Sequence, residues 1–216
     1  MECNEMLPVK FYYYNFYLSA ILLVWNNWIG VFRMLPLGHM GITLFIVRTA
    51  AWLLRLKSLD YRVLLIGSIL PDLIDKPLGI LLPPNHIFVK SFGHSLLFLV
   101  LLYSMNKLLR SNQHKTTVRS LWIGSVMHDI LDHMWHFPKV LFWPYIPDLP
   151  KTPFEPWGQV IHFYGFPIRQ VFALEIVGGG ILLIFFILLA LDNRLTKFLK
   201  TGELLSTCRN GLSAKK

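Results

Sequence analysis

The chain has 216 residues, of which 54% are hydrophobic and only 15% are charged. Soluble domains carry about 25% charged residues, so this composition excludes an ordinary soluble domain and predicts a polytopic membrane protein. The net charge of +9 comes from cations placed between apolar runs, which favours contacts with anionic lipid and excludes nucleic acid as the expected partner.

The first apolar segment, Phe11 to Phe32, contains no charged residue and is rich in aromatics. It is suited to a span or to the membrane interface, where Tyr and Trp are favoured. Residues 1–33 are therefore either an extra span or a hydrophobic extension ahead of a start at Met34.

Further apolar blocks follow, separated by short polar connections and ending in a basic tail. They run from Leu37 to Leu54, Val63 to Leu82, Phe92 to Leu109, Leu121 to Phe137 and Phe172 to Leu191. The pattern predicts an all-α fold, a transmembrane helical bundle of five to six spans. We expect a membrane-embedded domain over residues 34–192 and a basic cytoplasmic tail over residues 193–216.

The cations alternate between the connections. The connections 54–63 and 109–121 and the tail are basic, whereas the connections 82–92 and 138–167 carry few cations. Cytoplasmic loops are enriched in Lys and Arg, so the basic segments are predicted to face the cytoplasm. The unusual polar residues of the spans then all lie towards the outer side of the membrane.

The stretch from His128 to His136 carries five ionisable residues, all His or Asp. At about 100° per residue on a helix, they would form one polar face. A solvated helix face normally carries Lys, Glu and Arg, whereas imidazole and carboxylate at i, i+4 suit a divalent metal. The stretch favours metal ligands over a plain amphipathic surface.

Asp72 and Asp75 lie three residues apart inside an apolar block. Two close carboxylates repel each other, and a bound cation removes that cost. The alternative is a salt bridge to Lys76 or Arg48.

Three further ionisable residues lie in or beside apolar spans. His39 and His94, taken singly, are more typical of satisfied polar groups. The charge pattern, however, predicts that they lie at the same membrane depth as the carboxylates, which favours metal ligands. Glu175 suits a ligand, a base or a partner of Arg169. The remaining histidines in connections are interpreted as ordinary surface residues: His86, His114 and His162.

Four short motifs come in a fixed order: Gly38-His39, the segment Gly67 to Asp75, Gly93-His94-Ser95, and the segment His128 to His133. Together they resemble the YdjM-like family of membrane-bound metal-dependent hydrolases, and the resemblance covers about Leu35 to Leu191. One departure is that His86 stands eight residues before His94, further than the family's additional His. The resemblance implies these metal ligands: His39, Asp72, Asp75, His94, His128 and Asp132.

The predicted function is a membrane-bound metal-dependent hydrolase with Zn²⁺ or Mn²⁺ at the outer leaflet of the inner membrane. Asp129 or Glu175 would act as general base, and the substrate would be an amphiphilic lipid or a lipid-linked phosphate or ester. Two alternatives stay open. One is a metal-free lipid phosphatase with a His nucleophile, and the other is a non-catalytic membrane module or a metal or proton transporter.

Overall fold

The computed structural model describes residues 35–54, 59–81, 90–146, 168–202 and 204. Residues 1–34, His86, His162 and most of the tail lie outside this part, so the predictions made for them stay predictions. The described residues form helices and no strand, which confirms the all-α fold. The helices are α1 Pro36–Leu53, α2 Tyr61–Gly67, α3 Leu70–Leu81, α4 Leu96–Leu108, α5 Asn112–Leu131, α6 Pro138–Leu141, α7 Ile168–Leu191 and α8 Leu195–Thr201.

The apolar block from Val63 to Leu82 is broken rather than continuous, because α2 ends at Gly67 and α3 begins at Leu70. Pro71 has no N–H to donate to the carbonyl four residues earlier, so a continuous helix would leave the oxygen of Gly67 without its usual partner. The Ser125 hydroxyl of α5 donates to this oxygen over 3.3 Å. The α5 helix therefore supplies a partner for the carbonyl that the break leaves free.

The polar stretch after His128 also departs from one continuous helix. The α5 helix ends at Leu131, Asp132 is its C-terminal cap, and His133 adopts a left-handed conformation with φ 52°. A 3₁₀ turn, Met134–His136, follows. The prediction of a single helical polar face extending to His136 is therefore wrong, since the chain turns after Asp132.

Within the described residues, α7 contains one segment, Ala173–Leu191, that is long and apolar enough to cross a membrane. The α4 helix is apolar but shorter. Both expose large aliphatic side chains, including Leu183 at 62% and Leu101 at 50%. Such an apolar exterior is typical of a surface that contacts lipid or another protein.

The most extensive helix contact joins α1 to α7, and α5 packs against both α2 and α4. Gly41 and Gly178 allow α1 and α7 to approach closely, since a Cβ at Gly41 would lie 2.5 Å from the Cα of Gly178. The main core forms where α1, α2, α7 and α8 meet. Its most deeply buried members are Leu44, Val47, Leu59, Leu64, Leu65, Phe185 and Phe198.

The described parts of the predicted cytoplasmic segments meet at one end of the molecule. The N–H of Asp60 donates to the hydroxyl of Ser120 over 2.9 Å, and the Arg62 guanidinium donates to the Leu199 carbonyl over 2.6 Å. At 1.5 Å per residue, His128 lies about 12 Å further along α5 than Ser120. The basic end and the His/Asp residues therefore occupy different levels of the bundle.

Candidate metal centre

Two buried histidines face each other at the centre of the candidate site. His94 ends a 3₁₀ turn, Phe92–His94, and His128 lies in the last turn of α5. Their Nε2 atoms are 3.2 Å apart, and both side chains are fully buried. The role of this pair depends on which nitrogens carry protons, and that is set by the partners of the two Nδ1 atoms.

Asp75 fixes the orientation of His94. The Nδ1 of His94 donates to Asp75 over 2.7 Å, and the same carboxylate accepts from the N–H groups of Ser91 (2.7 Å) and Gly93 (2.8 Å) and from the Ser91 hydroxyl (3.0 Å). A carboxylate held by three further donors stays in place and holds the imidazole in turn. Asp75 was predicted to be a metal ligand, and the structure places it against the Nδ1 of His94, on the opposite side of that ring from His128.

The break between α2 and α3 fixes His128 in the same way. Its Nδ1 donates to the Ser68 carbonyl over 2.7 Å, at the point where the helix is interrupted. Neutral His94 and His128 therefore both direct an unprotonated Nε2 at the other ring. Two such acceptors 3.2 Å apart repel each other unless a proton or a cation lies between them.

Two carboxylates lie on the Nε2 side of the pair. Asp72 Oδ1 is 3.6 Å from His94 Nε2 and 3.9 Å from His128 Nε2. Asp132 Oδ2 is 3.7 Å from each of these nitrogens. Each carboxylate also has a lysine partner, since Asp72 pairs with Lys76 over 2.7 Å and Asp132 pairs with Lys90. The salt bridge considered for Asp72 is thus present, together with the histidine neighbours.

His39 completes the cluster from α1. Its ring stacks on that of His128 with centroids 4.2 Å apart, and its Nε2 lies 3.2 Å from Asp132 Oδ1. The imidazole is 1% exposed, and within the described residues neither of its nitrogens makes a hydrogen bond. Buried polar atoms are normally satisfied, so an unpartnered Nε2 facing a carboxylate is chemically suited to a cation.

The donor set fits a single divalent ion. Two groups have ligand atoms within 4.8 Å of one another, namely His39 with His128 and Asp132, and Asp72 with His94 and His128. With Nδ1 of His128 occupied by the Ser68 carbonyl, only its Nε2 is left for both groups, so the two groups would share the same ion. Two imidazole nitrogens bound to one Zn²⁺ at about 2.0–2.1 Å would lie roughly 3.0–3.4 Å apart, close to the separation of the two Nε2 atoms.

Asp129 lies beside the cluster without joining either group of donors. Its carboxylate is 6% exposed, and neither oxygen has a hydrogen-bond partner within the described part of the chain. A buried carboxylate without a partner is costly and is typical of a functional group. This environment is compatible with the predicted role of Asp129 as a base.

Glu175, for which a role as ligand or base was predicted, lies against the first turn of α1. Its two oxygens accept hydrogen bonds from the N–H groups of Leu37 (2.9 Å) and Gly38 (2.8 Å), in the first turn of α1. A carboxylate at a helix N-terminus satisfies free N–H groups and stabilises the positive end of the helix dipole. Glu175 therefore fixes the start of α1, one residue before His39.

The sequence did not identify three groups that shape the site: Lys90, Ser91 and the Ser68 carbonyl. Lys90 is the one cation of an otherwise uncharged connection, a signal that was used only for topology. A backbone carbonyl has no signature in a sequence, although the Gly-Ser pair before Pro71 indicates a possible helix break. His114, interpreted as a surface residue, is exposed near the start of α5.

Comparisons with known proteins give one match. The family model described as "YdjM inner membrane protein" matches residues 34–199. No curated protein and no solved structure matches the chain. Since the family model covers more than half of the sequence, the resemblance noted from the four motifs is confirmed, and the chain belongs to the YdjM inner membrane protein family, whose description gives an inner-membrane location.

Proposed function

We propose that this protein is a metal-dependent hydrolase of the inner membrane with one catalytic divalent ion, Zn²⁺ or Mn²⁺. The proposal is supported above all by the facing Nε2 atoms of His94 and His128, whose Nδ1 atoms are both held by acceptors. The proposed ligands combine three imidazoles and two carboxylates: His39, Asp72, His94, His128 and Asp132.

When bound at this position, a divalent ion would supply Lewis-acid chemistry, polarising a phosphoryl or acyl oxygen and making water a better nucleophile. Asp129 accepts the proton of the attacking water on its carboxylate, which is kept available because no donor among the described residues occupies it. Asp75 and the Ser68 carbonyl hold the two central imidazoles, so that their Nε2 atoms do not need to reorient during turnover.

We place the site in the outer half of the bilayer and the basic end in the cytoplasm, in a chain that crosses the membrane five or six times. The separation of Ser120 from His128 along α5 supports two different levels, and the charge pattern supports the direction. A site at this depth is open to an amphiphilic substrate, such as a lipid or a lipid-linked phosphate or ester.

A metal-free phosphatase with His94 as nucleophile is the second candidate, because the hydrogen bond from its Nδ1 to Asp75 would support a nucleophilic Nε2. The position of His128 Nε2 argues against it, since this atom lies 3.2 Å away where an attacked phosphorus would have to approach. A transporter or a non-catalytic module would bind metal without hydrolysis.

Metal analysis of the full chain, purified in detergent, tests these functions. We expect about one equivalent of Zn²⁺ or Mn²⁺ in the wild type and in His114→Ala, and loss of the metal in His94→Ala and His128→Ala. Hydrolysis of lipid phosphates and esters should stop after chelation and return with metal. Activity that persists without metal would favour the His nucleophile, and bound metal without any hydrolysis would favour the non-catalytic functions.

A further inference from the structure

Among the described residues, the His/Asp cluster is most exposed at Asp72. Of the side chains that form it, His94 and His128 have no exposed surface, whereas Asp72 is 18% exposed. The two lysines next to the cluster are more exposed still, with Lys76 at 35% and Lys90 at 20%. Lys76 and Lys90 therefore lie at the exposed edge of the cluster, beside the two carboxylates that face the Nε2 atoms.

The two lysines reach the cluster from separate segments of the chain. Lys76 lies one helical turn after Asp72 on α3 and donates to its Oδ2 over 2.7 Å. Lys90 precedes the 3₁₀ turn of His94 and donates to Asp132 Oδ2, with Met134 Sδ at 3.6 Å. Each ammonium is thus separated from the histidine nitrogens by a single carboxylate.

Resting on the function proposed above, we propose that Lys76 and Lys90 bind the phosphate group of the substrate, which makes the substrate class a phosphate ester. Four carboxylates lie in or beside the cluster and would repel an anion: Asp72, Asp75, Asp129 and Asp132. Two ammonium groups at the exposed edge of the cluster offset that repulsion and supply donors to phosphate oxygens. A neutral carboxylic ester would require neither.

The surroundings of the lysines suit a phosphate that carries an apolar group. Leu73 lies next to Asp72 on α3 and is 58% exposed. On the other side, the Lys90 ammonium lies 5.4 Å from the centre of the Phe137 ring, which is 37% exposed, and Trp135 is 50% exposed. Apolar surface beside a cationic group matches the headgroup region of an anionic lipid, and it also accommodates a soluble phosphate ester.

Phosphate binding to the Mn²⁺-loaded full chain tests the lysine pair. Inorganic phosphate is the probe, and its binding is measured by the paramagnetic broadening of its phosphorus NMR signal. Removal of a charge-assisted hydrogen bond costs about 1.5–3 kcal/mol, so Lys76→Gln and Lys90→Gln should each weaken phosphate binding about tenfold or more. Mn²⁺ content should stay unchanged, and Lys76→Arg should restore most of the binding.

Lys107→Gln is the matched control, because Lys107 is a lysine of α4 whose ammonium lies over the Tyr103 ring at 5.2 Å. The proposed phosphate binding by Lys76 and Lys90 is overturned if phosphate does not bind the Mn²⁺-loaded wild type. It is also overturned if both Gln variants bind phosphate as well as the control does. Lysines that only neutralise the carboxylates would change Mn²⁺ affinity and leave phosphate binding intact.

Failure of the proposed function gives a different result, namely a wild type that takes up no Mn²⁺. Phosphate binding by the wild type and the same variants is then compared by equilibrium dialysis without metal. Equal binding by all of them would overturn the proposed role of the two lysines in phosphate binding.

A short-chain phosphatidic acid distinguishes a lipid headgroup from a soluble ester as the source of the phosphate. Tighter binding than inorganic phosphate indicates a lipid headgroup, and equal binding indicates a soluble ester. Equally tight binding of the matching uncharged diacylglycerol would contradict phosphate recognition.

Discussion

At the scale of single residues, the two central imidazoles use their nitrogens for separate purposes. In His94 and His128 the Nδ1 atom holds the ring in place through Asp75 or the Ser68 carbonyl, and the Nε2 atom faces the site. Because both rings are held on the side away from the site, the arrangement is prepared before a ligand arrives. Loss of such an outer partner typically lowers metal affinity about 10–100-fold.

Replacement of Asp75 by Asn tests whether the Nδ1 atom of His94 serves to hold the ring in place. We expect Mn²⁺ affinity to fall roughly 10–100-fold, because an amide is a weaker acceptor for Nδ1–H than a carboxylate. Ser91→Ala removes one of the other donors to Asp75 and should have a smaller effect. Titration of the purified variants with Mn²⁺ measures both. Complete loss of binding in Asp75→Asn, equal to that in His94→Ala, would instead support Asp75 as a direct ligand.

Asp129 gives the second prediction at this scale. Asp129→Asn should lower turnover by about 10²–10⁴-fold, since an amide cannot accept the proton of the attacking water. Metal content should not change, because Asp129 is outside both groups of potential ligands. The measurement is hydrolysis of a phosphate substrate, with Asp192→Asn, an exposed carboxylate just after α7, as the control. Unchanged turnover would exclude Asp129 as the base.

The residue types of the site were predictable from the sequence, but the roles within it were not. Paired carboxylates at i, i+3 indicated a cation, yet the sequence could not show that Asp72 faces the Nε2 atoms while Asp75 faces an Nδ1 atom. That distinction depends on where the 3₁₀ turn of His94 crosses α3, which is a tertiary contact. For the same reason the sequence could not show that Glu175 accepts hydrogen bonds from the first turn of α1, since these partners lie 137 and 138 positions away.

At the scale of helices, the apolar blocks predicted most of the elements but not their interruptions. Hydropathy averages over many residues, so the break at Ser68 and the turn at His133 are hidden within apolar blocks. Both interruptions matter for the site. The first places the Ser68 carbonyl against His128, and the second allows the chain to leave α5 directly after Asp132.

Glu175 provides the prediction for helices, because it connects α7 to the first turn of α1. Glu175→Ala removes two charge-assisted hydrogen bonds and should destabilise the protein by about 1–3 kcal/mol. Glu175→Gln keeps one acceptor oxygen and should have an intermediate effect. Thermal unfolding of the purified variants in detergent measures the change. Mn²⁺ affinity should also fall, since His39 follows directly after Gly38, and unchanged stability and affinity would contradict this role for Glu175.

At the scale of the whole molecule, two hydrogen bonds, from Asp60 to Ser120 and from Arg62 to Leu199, hold the described basic segments together. The side of the membrane that these segments face is a proposal from charge alone. The sequence therefore indicated how the segments are grouped before the structure did. The five to six spans stay a prediction, because among the described helices only α7 has both the length and the composition of a span.

Accessible cysteines test the direction of the bundle. After replacement of Cys3 and Cys208 by Ser, Lys115→Cys should be protected from a membrane-impermeant thiol reagent in intact cells. Tyr145→Cys should react, because Tyr145 is 95% exposed and follows the site in the chain. Permeabilised cells should allow both to react, which controls for buried thiols. Labelling of Lys115→Cys alone in intact cells would place the site on the cytoplasmic side.

The close packing of α1 against α7 determines the order in which the site can assemble during synthesis. His39 emerges from the ribosome before His94, His128 and Asp132, yet the helix that makes the most extensive contact with α1 begins only at Ile168. Until α7 has been translated and inserted, α1 lacks the carboxylate of Glu175 at its first turn and the glycine surface at Gly178. A nascent chain arrested before α7 would therefore contain all five proposed ligands and still lack the helix that positions the earliest of them.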